Sequence, residues 1–343
     1  MRYSLLSRFK GALLGAALGA NQGASAPPPG RVGHSRLNLE LSRHSSWAGM
    51  AAASAESLIR CGGFDVEDWH QSCVMAWLPD ATRGEAELTP VAALMAILPL
   101  VLFYHEEDLI WPEHLWQASS LLSPLGGCSW ELWAFGYGIA QSLQEKLKPA
   151  IAIANIQKMA KIVSFPPDGQ DGSGAVVGAK LAELLAKKAS GEMVGAELTG
   201  LLGEKPGFHS PNAAFALALY CFLSTPEDFR LSVVPAVRTG GDRELTGAIA
   251  GALSGAYNGI AGIPMSWQMC EPQRYRGCLD SSMSFMPWSI SPIPPPTASV
   301  SLLPLASRLF AAWAGIYDLN RQNIDPADWS KVMSHLSFVP GDK

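Results

Sequence analysis

The chain has 343 residues, 48% of them apolar and 16% charged, with a formal net charge of −5. That length and apolar content support one large buried core, with or without an appendage, and exclude a disordered chain. The negative balance, with no Lys/Arg run longer than a pair such as Lys187–Lys188, excludes a nucleic-acid footprint.

At the N-terminus Arg2, Arg8 and Lys10, then GALLGAALGA and Ala24-Ser25-Ala26, imitate a secretory signal. Gly11, Gly15 and Gly19 break the apolar run at four-residue spacing, which lays a small-residue groove along one face where a second helix can come close. The stretch therefore reads as a mature helix over Leu5–Gly19. Further helices are expected over Ala48–Arg60, Val91–Tyr104, Ser129–Leu147 and Ala175–Lys188, where apolar residues recur at three and four or fill every face. Val91–Tyr104 is too short to span a bilayer and contains Pro99, and no other segment reads as transmembrane. Asn212–Leu223 has a start signal in Ser210 and Pro211, and Leu245–Tyr257 follows. Loops rich in Pro and Gly are expected at Ala26–Gly33, Pro166–Gly174 and Met286–Ala298, the last a semi-rigid connector. Beyond it come an amphipathic helix, Leu302–Tyr317, and a short one begun by Asp325-Pro326. No segment keeps strict apolar/polar alternation, so the expected class is all-α. The division that follows is a helical domain over 1–267, a Pro-rich connector over 268–299, and C-terminal helices over 300–343 that pack on the same domain.

The cysteines at 61, 73, 128, 221, 270 and 278 have no C-x-x-C spacing. Reduced, mostly buried thiols and a cytoplasmic location are expected, with a Cys270–Cys278 bridge reserved for an oxidising compartment.

The chemistry concentrates in Thr239–Trp267, TGGDRELTGAIAGALSGAYNGIAGIPMSW. A Gly240-Gly241-Asp242 turn runs straight into a helix of small residues. A helix start gathers unpaired N–H groups and a positive dipole end, so it suits phosphate oxygens, and an acidic cluster beside it suits a metal. Asp242 reads either as an N-cap or as a ligand, and Glu244 either as a first-turn acid suited to the dipole or as a ligand and base. Elsewhere Asp168–Gly174 reads as a turn without cation-loop or P-loop spacing, His209 as a capping or surface histidine, and His105-Glu106-Glu107 as a solvated helix end.

Thr239–Trp267 resembles the C-terminal signature of the ADP-ribosylglycohydrolases, Gly-Gly-Asp-x-Asp-Thr-x-x-x-Ala-Gly followed by Gly-Ala-x-x-Gly, Ile-Pro and Trp. Arg8–Gly23 is similar to the opening helix of that family, and Ala92–Glu107 to its segment with Met95 and Pro99. The resemblance implies an all-α, orthogonally packed fold. It also implies a site for two divalent ions, Mg²⁺ or Mn²⁺, which orient the ribose of ADP-ribose while water cleaves its bond to a protein side chain. The same alignment carries departures. Asp242 matches the first signature aspartate, Glu244 stands for the second, and Leu245 stands for the threonine ligand. Ser45-Ser46-Trp47-Ala48 stand over Thr-Asp-Asp-Thr, Ala20 over an aspartate and Ala96 over an arginine. A hard cation such as Mg²⁺ wants about six oxygens near 2.1 Å, and this donor set falls short of two such sites.

The expectation is a degenerate relative without two-metal hydrolysis. It would act as a binding or regulatory module for an ADP-ribosyl or nucleotide group, or for a protein partner, through Gly240, Gly241 and Asp242. No cofactor is then expected, and neither nucleic acid nor membrane is a partner. The alternatives are an active hydrolase, with Asp242 and Glu244 as metal ligands and Glu244 as base under Mg²⁺ or Mn²⁺, and a scaffold that docks a partner through Met286–Lys343.

Overall fold

A computed structural model describes residues 3–25, 45–77, 88–122, 130–162, 173–189, 211–239, 241–268 and 302–316, with the side chains of 45–47, 77, 173–175, 189 and 211–212 left out. Within these ranges the chain is helical and has no strand. In order, the helices are α1 (Leu5–Ser25), α2 (Ser45–Cys61), α3 (Val66–Trp77), α4 (Pro90–Phe103), α5 (Ile110–Leu121), α6 (Trp130–Leu143), α7 (Ala152–Ile162), α8 (Ser173–Ala189), α9 (Pro211–Ser224), α10 (Phe229–Arg238), α11 (Arg243–Asn258), α12 (Met265–Gln268) and α13 (Leu302–Trp313). None of them is long and apolar enough to cross a membrane.

Short polar residues set the helix starts. The Ser4 hydroxyl accepts from the Ser7 amide ahead of α1, the Asp65 carboxylate from Asp68 ahead of α3, Thr89 from Ala92 ahead of α4, and Asp228 from Leu231 ahead of α10. Each satisfies a donor that the first turn leaves without an intrahelical partner. Helix α4 is buried on every side, which explains why its apolar residues show no stripe.

The axis of the molecule is the antiparallel pair α1–α11. Gly11, Gly15, Gly19 and Gly23 on α1 face Gly255, Gly251, Gly247 and Arg243 on α11, and a Cβ placed on any of the four α1 glycines would strike the opposing backbone carbonyl. The groove expected from the glycine spacing is therefore filled by the signature helix, whose own glycines repeat at the same interval. At this separation the glycine Cα–H groups point at carbonyl oxygens, a weak hydrogen bond that side chains would forbid. Around the pair sit α4, α6, α9 and α10, while α2 lies against α4, and α13 lies against α1, α2 and α4.

Several expectations are corrected. Helix α1 runs on to Ser25, past the expected end at Gly19. Helix α6 stops at Leu143, short of Leu147, and α13 stops at Trp313, short of Tyr317. In α13 the stop is Gly315, at φ +71°, with the Ile316 amide donating to Ala311 O and the Gly315 amide to Ala312 O. In α6 the same closure uses Glu145 at φ +58°, a conformation that costs a side-chain-bearing residue about 1–2 kcal/mol. Helices α3, α5, α7, α10 and the short α12 have no counterpart among the expected elements. The first two residues of α8 fall inside the expected Pro166–Gly174 loop. The rest of that loop, the loops at Ala26–Gly33 and Met286–Ala298, and the helix at Asp325 lie outside the described residues.

Candidate functional site

The signature corner forms where the end of α1 meets the start of α11. Gly241 takes φ +67°, the left-handed backbone a Gly-Gly turn permits, and so delivers Asp242 to the N-cap position. There the Asp242 Oδ1 accepts the Leu245 amide at 3.0 Å, while the Asp242 carbonyl accepts both the amide and the hydroxyl of Thr246. Leu245 is fully buried in the core. Glu244 stands in the first turn, half-buried, with its carboxyl pushed above the usual range, first by burial and then by the neighbouring Asp242 charge. A Cβ on Gly23 would lie 2.7 Å from the Glu244 Cα, so the last turn of α1 sits directly on this corner.

Gly241, Asp242 and Glu244 thus share one turn. Gly240 lies outside the described residues, as do the Trp47 side chain and His209. Trp47 belongs to the first turn of α2 by its backbone. Ala20 and Ala96 are fully buried in the core.

Among the described residues, the positions aligned with the family's ligands offer few oxygens to a two-metal centre. One signature carboxylate oxygen is engaged by a backbone amide and the neighbouring position is a buried leucine. Neither alanine offers an oxygen from its side chain. Among the described residues no group of three or more His, Cys, Asp or Glu side chains gathers closely enough to hold a metal. What the corner does offer is the start of a sixteen-residue helix with two acids, one of them displaced toward its protonated form. That arrangement can receive a hydrogen bond from a ligand or move a proton.

Three features escaped the sequence reading. Asn21, adjacent to Ala20, has a buried Oδ1 with no partner among the described residues. His105 is not solvated: it is 1% exposed, donates from Nδ1 to Leu102 O at 2.8 Å, and lies between Phe9 and Trp313, with burial lowering its pKa to about 4. Glu106 and Glu107 beside it are exposed as expected. Arg8 is buried at the opposite end of α11. Its Nη1 donates to Ser142 O at 2.6 Å, Tyr257 O at 3.1 Å and Ala256 O at 3.3 Å, and its Nη2 to Glu145 at 3.0 Å. One guanidinium therefore closes the C-terminal ends of α6 and α11 and holds Glu145 in its left-handed conformation. A surface cavity of about 330 Å³ opens beside it, lined in part by Tyr3, Glu227 and Asn258. It stands a helix length from Asp242 and shares no residue with the corner.

Of the cysteines, Cys73 and Cys221 are buried free thiols pushed up to about 12 by burial, whereas Cys61 is exposed. The other three lie outside the described residues.

The family model described as ADP-ribosylglycohydrolase matches residues 1–285. No curated protein gives a significant match to the chain.

Proposed function

The chain belongs to the ADP-ribosylglycohydrolase family, and from that premise we propose that it has kept the helical scaffold without two-metal hydrolysis and works as a binding or regulatory module. Its ligand is an ADP-ribosyl or nucleotide group, or a protein partner carrying one, received at the helix start formed by Gly240, Gly241 and Asp242. The observation that carries this reading is the use made of the signature positions: Asp242 caps its own helix through the Leu245 amide, and Leu245 is a core residue. A fold tolerates such loss because its packing does not depend on the site grafted onto it. Titration calorimetry with ADP-ribose, with and without Mg²⁺ or Mn²⁺, tests it. Binding that ignores the metal, together with no ADP-ribose released from ADP-ribosylated arginine or serine substrates, is the expected result. Tight binding that requires the metal counts against it.

One observation favours the active alternative. Glu244, with its carboxyl pKa raised by burial and by the Asp242 charge, has an attribute of a general acid or base. On that reading ADP-ribose release is measurable, and Glu244→Gln removes it while leaving ADP-ribose binding in place.

A further inference from the structure

Helix α13 lies outside the matched residues 1–285 and reaches the rest of the fold through residues 269–301. It is amphipathic and lies on α1, α2 and α4. Leu302, Leu305, Leu309 and Phe310 are its buried anchors, at the i, i+3, i+7, i+8 spacing of a helix laid into a groove. Phe310 meets Phe9 edge-on at 5.5 Å, and Trp313 lies over His105 at 5.0 Å. Among the described residues its polar contacts with the body are confined to Arg308, which grips both carboxylate oxygens of Glu56 on α2, Nη2 to Oε2 at 2.7 Å. No backbone hydrogen bond joins α13 to the body within the described residues.

We propose that the groove formed by α1, α2 and the end of α4 is a helix-binding seat, and that α13 is its resident occupant, held by apolar anchors and a single charge pair. Among the described residues α13 contributes no backbone bonds to its neighbours and closes its own last carbonyls at Gly315, so its main-chain bonding is internal to the helix. Its seat is likewise built from elements that pack on one another: α2 lies on α4, and α1 on α11. The match between the two is that of a helical peptide and a receptor groove: the rings of Phe9 and His105 for Phe310 and Trp313, and a carboxylate for Arg308. The seat is at the Phe9 end of α1, away from the Gly19–Gly23 turn that carries the signature corner. Its occupancy is therefore separable from ligand binding there.

The test uses the full chain carrying a site-specific protease sequence inserted between Pro296 and Thr297. After cleavage, size-exclusion chromatography should find the α13 fragment still bound to the body. A fluorescent peptide of residues 300–317 should exchange into the nicked protein and be excluded from the intact one, where the tethered helix competes at high effective concentration. Arg308→Glu should speed release of the fragment roughly two- to fivefold, the range of an exposed ion pair, and Glu56→Arg added to it should restore the original rate. Loss of the fragment on cleavage overturns the proposal, whether or not the body stays folded. So does a nicked protein that retains its fragment but admits no peptide, since α13 is then fixed core and not an occupant. Release unaffected by Arg308→Glu, or not restored by the double reversal, removes the assigned polar anchor and with it the proposed mode of recognition.

Discussion

Gly15 and Gly251 face each other across the α1–α11 seam, each with its Cα against the other's backbone carbonyl, and neither position has room for a Cβ. The strip of which they are the centre runs from Gly11–Gly255 to Gly23–Arg243. It brings the end of the first helix onto the first turn of the signature helix, so the placement of Asp242 and Glu244 depends on side chains that are absent.

A methyl group at either glycine must push the helices apart or bend them, because the obstructing atoms are backbone. Gly15→Ala and Gly251→Ala should each cost roughly 3 kcal/mol, at the upper end of overpacking penalties. Gly49, also helical but with nothing within 4 Å of a built Cβ, is the internal control. Gly49→Ala should stabilise by about 0.5–1 kcal/mol, since alanine loses less backbone entropy than glycine. Urea midpoints for the three variants check this. Equal effects at Gly15 and Gly49 would mean that the seam is looser than described.

Arg8 makes a separate prediction. Its guanidinium serves three carbonyls and Glu145 at once, which a single ammonium cannot do. Arg8→Met leaves those acceptors buried or half-buried without donors and should cost about 3 kcal/mol. Arg8→Lys keeps the charge and should recover less than half of that loss. Thermal melts at low and high salt distinguish this from a surface ion pair: the Arg8 contribution should persist in high salt, because the side chain is 6% exposed.

These relationships were unequally visible in the sequence. The α1 groove was legible because a four-residue glycine period has few other uses in a helix, and the signature helix supplied its partner. Helix α10 was hidden by Pro235, which normally ends a helix but is carried here inside one that starts from the Asp228 cap. The end of α6 was hidden because its stop residue is Glu145 and not a glycine. What stabilises that stop is Arg8, distant in sequence and itself disguised by the look of a signal segment. His105 was read as solvated from its two acidic neighbours. Its burial comes from Phe9 and Trp313, which no local pattern could bring to it. At the corner, residue types alone expose the departures from the family pattern, and the N-cap reading of Asp242 is met by its bond from the Leu245 amide.

His105 should make stability depend on pH. It is buried in neutral form, so its folded pKa, about 4, lies below the 6.5 of the unfolded chain. The unfolded state therefore binds the proton more readily, and the contribution of the neutral ring is intact above pH 6.5 and is lost as pH falls from 6.5 toward 4. By pH 5 the loss should be roughly 2 kcal/mol. His105→Gln should be less stable than the parent at pH 7.5 and should lose less on acidification to pH 5, with the gap between the two narrowing across that window. Parallel gaps at both pH values, measured by urea denaturation, would show that the ring is not titrating between the folded and unfolded states.

Asp242 separates a capping role from a ligand role. As a cap its carboxylate oxygen accepts one amide, a task that Asn and Ser perform nearly as well. Asp242→Ala should therefore cost about 1 kcal/mol, and Asp242→Ser and Asp242→Asn only a few tenths. As a metal ligand the residue would behave otherwise: Mn²⁺ would raise the melting temperature of the parent by mass action, and Ser and Ala would abolish that rise alike. The expected outcome is a melting temperature indifferent to millimolar Mg²⁺ or Mn²⁺, with the variants ordered by capping strength. Glu244→Gln extends the same experiment. Burial raises the Glu244 pKa above its unfolded value, so the ionised side chain is a cost that appears as pH climbs out of the carboxylate range and is fully present at neutrality. The Gln variant should gain on the parent from pH 4 to pH 7, and a gain that instead shrinks over that interval would assign Glu244 a favourable charge at the corner, as a bound cation requires.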